Sequence, residues 1–145
     1  MNIELEKEVA YVLKYIGIAQ DLLGYEYIKH AVDLILKDRK HIDSVTKELY
    51  PELAKKFKAT PSRVERAIRH AVESCFNHID QDIIEFMFGN SISVDKGRPT
   101  NTHFLAAIVE AVRFIHVPNS YSDIHNASPS QEVKNNLDNY VRGGK

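Results

Sequence analysis

The sequence predicts an all-α domain, and three observations predict it. Apolar residues recur at three- and four-residue spacing along most of the 145 residues. No segment alternates apolar and polar residues with the period of a half-buried strand. The breakers Gly17, Gly89 and Pro118 fall between the periodic runs, not inside them.

The elements follow in order. Residues 3–16 place Ile3, Val9, Val12, Leu13 and Ile16 on one side, and Gly17 is suited to end that helix. Residues 22–36 repeat the pattern through Tyr25, Ile28, Val32, Ile35 and Leu36, and residues 38–40 read as a polar link. A further helical stretch begins at 44–49, and Pro51 is tolerated only near the start of the short helix 51–57. Thr60-Pro61 is a start signal. The threonine side chain can accept a backbone hydrogen bond, and proline in the first turn loses no donor the helix needs. That helix extends to about Phe76. Residues 80–88 form another, begun at Asp80 and stopped by Gly89-Asn90. Residues 91–99 are a loop exposing Asp95, Lys96, Gly97 and Arg98, and residues 100–116 form the last core helix. From Asn119 the composition turns to Ser, Asn, Asp and Gly. The expected division is therefore a domain over 1–117 and a linker and tail over 118–145. In that tail, 129–141 is either a weakly amphipathic helix through Val133, Leu137 and Val141 or disordered.

The bulk numbers exclude several classes. No apolar run reaches the roughly 18 residues that a membrane span needs. The acidic start carries no secretory signal. The single cysteine, Cys75, excludes an internal disulfide and fits a reducing, cytoplasmic setting, where a small core residue is the expected role. There is no phosphate-binding glycine loop and no nucleophile motif, so an enzyme is not expected. The seven histidines (30, 41, 70, 78, 103, 116 and 125) lack zinc-ligand spacing, and neither metal nor cofactor is expected.

The net charge of −1 hides a local excess. Between Ala54 and His70, six lysines and arginines face Glu65 alone, a local +5 that leaves −6 on the rest of the chain. A basic patch of this kind is the footprint of a nucleic-acid binder. The same stretch has helix-turn-helix spacing. Ala54, between Leu53 and Phe57, is the small residue over which a second helix can cross. Lys58-Ala59-Thr60 is the turn, with Lys58 where glycine is expected. Val64, Ala67 and Ile68 are the packing positions.

At about 100° per residue, Val64, Ala67, Ile68, Ala71, Val72 and Cys75 share the inner face of the second helix. Ser62, Glu65, Arg66, Arg69 and Glu73 share the outer face, with Arg63 and His70 at its edge. The N-terminal part of a recognition helix reaches base edges. Arginine donates to guanine O6 and N7, and glutamate accepts from cytosine N4. Ser62, Glu65, Arg66 and Arg69 are thus the expected base readers of double-stranded DNA. Lys55, Lys56, Lys58, Thr60, Arg63 and His70 are the expected backbone contacts.

The run LYPELAKKFKATPSRVERAIRHAVE, the preceding SVTKELYP, MFG at 87–89 and KGRPTN at 96–101 resemble the effector domain of the sporulation initiation response regulators. The resemblance extends from about Ile16 to His116. It implies a six-helix DNA-binding domain of a transcriptional regulator that reads a box with a C·G-rich core. It places the base-reading pair at Glu65 and Arg66, and further residues near DNA at Arg63 and Arg69. It adds backbone contacts at Lys96, Arg98, Thr100 and Asn101. It also implies homodimer contacts through helix 100–116. In activators an acidic surface such as that of helix 80–88, with Asp82 and Glu85, can touch an RNA polymerase sigma subunit. Two departures are expected: no phosphoacceptor receiver precedes the domain, and the tail after Pro118 has no counterpart. The competing expectation is an interaction protein that pairs with a full-length response regulator and binds DNA weakly itself.

Overall fold

The computed structural model describes residues 1–89, 92, 96–115 and 129–143, with nothing said of the side chains at 129 and 130. Expectations for Asn90, Asp95, His116, His125 and the 118–128 linker lie outside these residues. All the regular structure among the described residues is helical.

The local chemistry that starts and stops each helix is visible in the backbone. In α1 (Ile3–Ile16), the Asn2 side chain accepts from the Leu5 N–H at 2.7 Å. Gly17, at φ 99°, returns its N–H to the carbonyls of Leu13 and Lys14. This is a left-handed C-terminal stop, which glycine adopts without a steric penalty. α2 (Leu23–Lys37) runs through the middle of the domain and buries nine residues, among them Lys29 and Asp33. Both buried charges are paired: Lys29 Nζ lies 3.0 Å from Glu6 of α1, and Asp33 lies 3.0 Å from Lys37.

The expected polar link at 38–40 gives way to a short α3 (Lys40–Asp43). A π-helical stretch, Val45–Leu49, then joins α3 to α4 (Tyr50–Phe57). Pro51 accounts for the wide turn. It has no N–H for the Lys47 carbonyl, and its ring crowds that carbonyl in a regular helix, so the backbone widens just before it. His41, buried on α3, faces the Glu52 carboxylate of α4 through Nε2 at 2.8 Å and the Asp38 carbonyl through Nδ1 at 3.0 Å. The helix count therefore depends on how Lys40–Phe57 is divided.

α5 (Pro61–Phe76) begins at Thr60, whose hydroxyl accepts from the Arg63 N–H at 3.2 Å. α6 (Gln81–Ile83) continues into a second π-helical stretch, Ile84–Phe88. α7 (Asn101–Ile115) closes the core. Phe88 stacks on Phe104 with ring centres 5.6 Å apart, and Phe76 meets Phe88 edge-on. Cys75 is buried. Its thiol donates to the Ile16 carbonyl at 3.3 Å, and burial pushes it up to about 12, so it is a protonated core residue at neutral pH.

The tail segment adopts the helical alternative. α8 (Pro129–Arg142) docks against α1, α6 and α7, burying Leu137 and Val141 while Val133 is partly covered. Its last turn is fixed by polar contacts. Tyr15 Oη donates to Asp138 at 2.8 Å. Arg142 donates to Tyr15 Oη at 2.7 Å and also reaches Asp138, Asp80 and Asp82. Burial, reinforced by Asp138, pushes the Tyr15 phenol up to about 12. No helix among the described residues is long and apolar enough to cross a membrane.

Candidate nucleic-acid interface

The basic stretch of the sequence folds into α4, a tight turn and α5. Leu53 and Ala54 of α4 are buried, and Lys58 and Ala59 both return their N–H groups to the Ala54 carbonyl. Lys58 sits at φ 53°, ψ 46°, the only left-handed residue other than glycine among those described. The position that asked for glycine is thus occupied by a lysine held in glycine's conformation. This carries a backbone cost of about 1 kcal/mol.

α5 is held rigidly from behind. Val64, Ile68, Ala71, Val72 and Cys75 are buried, and Ala67 is partly buried against the core. Gly24 of α2 lies directly against α5. A Cβ there would lie 2.3 Å from the Ala67 carbonyl oxygen and 3.0 Å from the Ala71 Cβ, so only glycine lets the two helices meet at this distance. The Tyr27 and His30 rings grip Phe57 edge-on, each at 5.0 Å, and so seat the end of α4 on α2. Gly24 was invisible to motif spacing. Its one sequence signal is a glycine in the first turn of an otherwise apolar helix with no cap or turn to serve.

With the inner face fixed, the outer face is defined. Ser62, Arg66 and Arg69 are exposed and Glu65 is half-buried, with Arg63 and His70 exposed beside them. Arg69 Nε lies 3.5 Å from Glu65, one turn away on the same face. The Arg66 and Arg63 guanidinium groups make no ion pair among the described residues. Lys55, Lys56, Lys58 and Thr60 are exposed on α4 and the turn, at the N-terminal side of α5. A helix end with three lysines beside it and a Ser-Glu-Arg-Arg face suits a polyanion carrying hydrogen-bonding edges.

The segment before α7 lies along the same helix, but its side chains divide. Lys96 and Thr100 are exposed, and the Thr100 hydroxyl accepts from the His103 N–H at 3.2 Å. Arg98 is turned onto α5 and donates to Glu73 at 2.9 Å. Asn101 also points inward, donating to Tyr50 Oη and to the Glu65 carbonyl, each at 3.1 Å. Glu73 falls on the outer face by spacing, but its pairing with Arg98, and Tyr50 as a partner of Asn101, carry no sequence signal. On α6, Asp82 is held by Arg142 at 3.4 Å, and Glu85 of the π-helical stretch that follows accepts from Gln81 of α6.

Residues 9–112 match the family described as sporulation initiation factor Spo0A, C terminal. The match takes in α1 from Val9, the whole α4–turn–α5 unit and all but the last turn of α7, and the chain belongs to that family. It is a family of DNA-binding regulatory domains. α8 lies beyond the matched residues.

Proposed function

For a chain of this family, we propose a sequence-specific DNA-binding transcriptional regulator whose α4–turn–α5 unit is a helix-turn-helix. The N-terminal half of α5 enters the major groove, and Ser62, Glu65, Arg66 and Arg69 face base edges. The observation that carries this reading is a helix immobilised from behind by Gly24 and the core, with an outward face of unengaged arginine beside glutamate. Arg66 donates to guanine O6 and N7, and Glu65 accepts from cytosine N4, so the box read contains a C·G step. Lys55, Lys56, Lys58, Thr60, Arg63 and His70 flank that face and hold the phosphates, joined by Lys96 and Thr100 from the segment before α7.

A dimer on DNA uses the exposed side of α7, where Glu110, Arg113 and Phe114 face outward. Glu85 is exposed on the π-helical stretch after α6, a position open to a polymerase sigma subunit. A salt-dependent shift assay tests the reading. Specific binding weakens steeply as salt rises, because each phosphate contact releases counterions.

A second reading has its own observation. Phe86 and Phe114, exposed by 51% and 47%, flank Tyr140 of α8 at 4.9 and 4.7 Å. An aromatic surface of this kind suits a protein partner, and a modulator that pairs with a full-length response regulator would use it. In that case the full chain shifts DNA only weakly at every salt concentration, and co-migrates with such a regulator.

A further inference from the structure

Asn101 has a hydrogen-bonding pattern that a phosphate contact does not require. Its side-chain amide has two N–H donors. One meets Tyr50 Oη at 3.1 Å, and the other meets the Glu65 backbone carbonyl at 3.1 Å. The carbonyl can only accept, so the amide nitrogen must face it, and the orientation of the group follows. Tyr50 is 6% exposed and sits at the start of α4. Asn101 is the first residue of α7, whose start is capped by Thr100. Three helices thus meet at a single amide, beneath the carbonyl of the residue assigned to cytosine.

The electrostatics agree. Burial is the main influence raising the Tyr50 phenol, with the Asn101 hydrogen bond opposing it, and the charges of Glu65 and Arg69 both reach the group. Because one amide nitrogen reaches both the Tyr50 hydroxyl and the Glu65 carbonyl, the hydroxyl lies just under the reading face. By helix geometry the Glu65 carbonyl also accepts the Arg69 N–H, so the amide grips the turn of α5 that carries two of the assigned base readers.

We propose that Asn101 and Tyr50 form a pin that sets the rotation and height of α5 at Glu65, making them positioning residues for base selection. This rests on the DNA-reading function proposed above. A helix freed at this point still docks through Gly24 and its apolar face, and still presents lysines to phosphate. It loses the fixed distance between Glu65 and its base.

The test uses the full chain and a duplex recovered by selection, together with the same duplex altered at the base pair opposite Glu65 and, separately, at one opposite Arg66. Asn101→Ala weakens binding to the preferred duplex about tenfold, the scale of one lost buried hydrogen bond. It leaves the duplex altered opposite Glu65 nearly unaffected, so discrimination there collapses. Tyr50→Phe removes only a hydroxyl that DNA cannot reach and produces the same pattern. The double variant is no worse than about twofold beyond either single one, because both break one linkage.

Loss of affinity by the same factor on all three duplexes, with Tyr50→Phe silent, would make Asn101 a plain phosphate contact and overturn the pin alone. If the unaltered protein shows no preference among the duplexes, the DNA-reading function fails and the pin falls with it. Circular dichroism and thermal melting of each variant separate either result from simple unfolding.

Discussion

The outer face of α5 and the docked face of α8 both carry charged residues at helical spacing, yet their side chains end in different places. On α8, Arg142 is drawn into contact with Tyr15, Asp138, Asp80 and Asp82, and Leu137 and Val141 sink into the core beside it. On α5, Arg66 faces solvent with no ion pair among the described residues, and the Glu65–Arg69 contact stays within the helix. The difference separates two uses of arginine. A guanidinium that ties together carboxylates of separate segments holds structure. One kept out of such pairs keeps its two-pronged donor face for a partner, and forming that contact breaks nothing in the fold.

Four substitutions break or sharpen this contrast. Leu137→Ala removes the apolar anchor of α8 and lowers stability by about 3 kcal/mol. It leaves base preference unchanged, so chemical denaturation moves while DNA selectivity does not. Gly24→Ala sits between the two regimes. Its Cβ meets a backbone oxygen that cannot swing away, so α2 and α5 must separate. Stability falls towards the upper end of about 1–3 kcal/mol, and DNA affinity falls with it, because the support behind Ala67 has shifted.

Arg66→Ala does the reverse of Leu137→Ala. Melting is unchanged, while binding to the preferred sequence loses about 2 kcal/mol and selectivity relaxes at one base pair. Lys58→Gly has the smallest effect and two opposing parts. Relief of the left-handed lysine raises stability by up to about 1 kcal/mol, and loss of a phosphate contact lowers the slope of log affinity against log salt by about 1.

Much of this was legible in the sequence, and the rest was hidden for identifiable reasons. Helical periodicity is enough to divide α5 into inner and outer faces, because its core packing follows the 3.6-residue repeat with no interruption. The misfit at Lys58 was legible because the turn demands a left-handed residue whatever its side chain. The short α3 and the π-helical stretch before Pro51 were not, since periodicity averages over a turn and misses one that widens. Asn101 shows a different limit. Its place before the last helix could be read, but whether its amide turns outward to DNA or inward to Glu65 depends on where Tyr50 lies, fifty-one residues away. Gly24 depends on its partner helix in the same way. The docking of α8 depends on a surface built jointly by α1, α6 and α7, so a weakly amphipathic segment left its own fate open.

The most direct test of the central claim is an unbiased selection of DNA sequences bound by the full chain, run in parallel with Arg66→Ala. The unaltered protein is expected to enrich a box containing a C·G step, and Arg66→Ala the same box with one position randomised. Absence of enrichment by the unaltered protein, or an unchanged box with Arg66→Ala, would contradict the assignment of α5 as the helix that reads DNA.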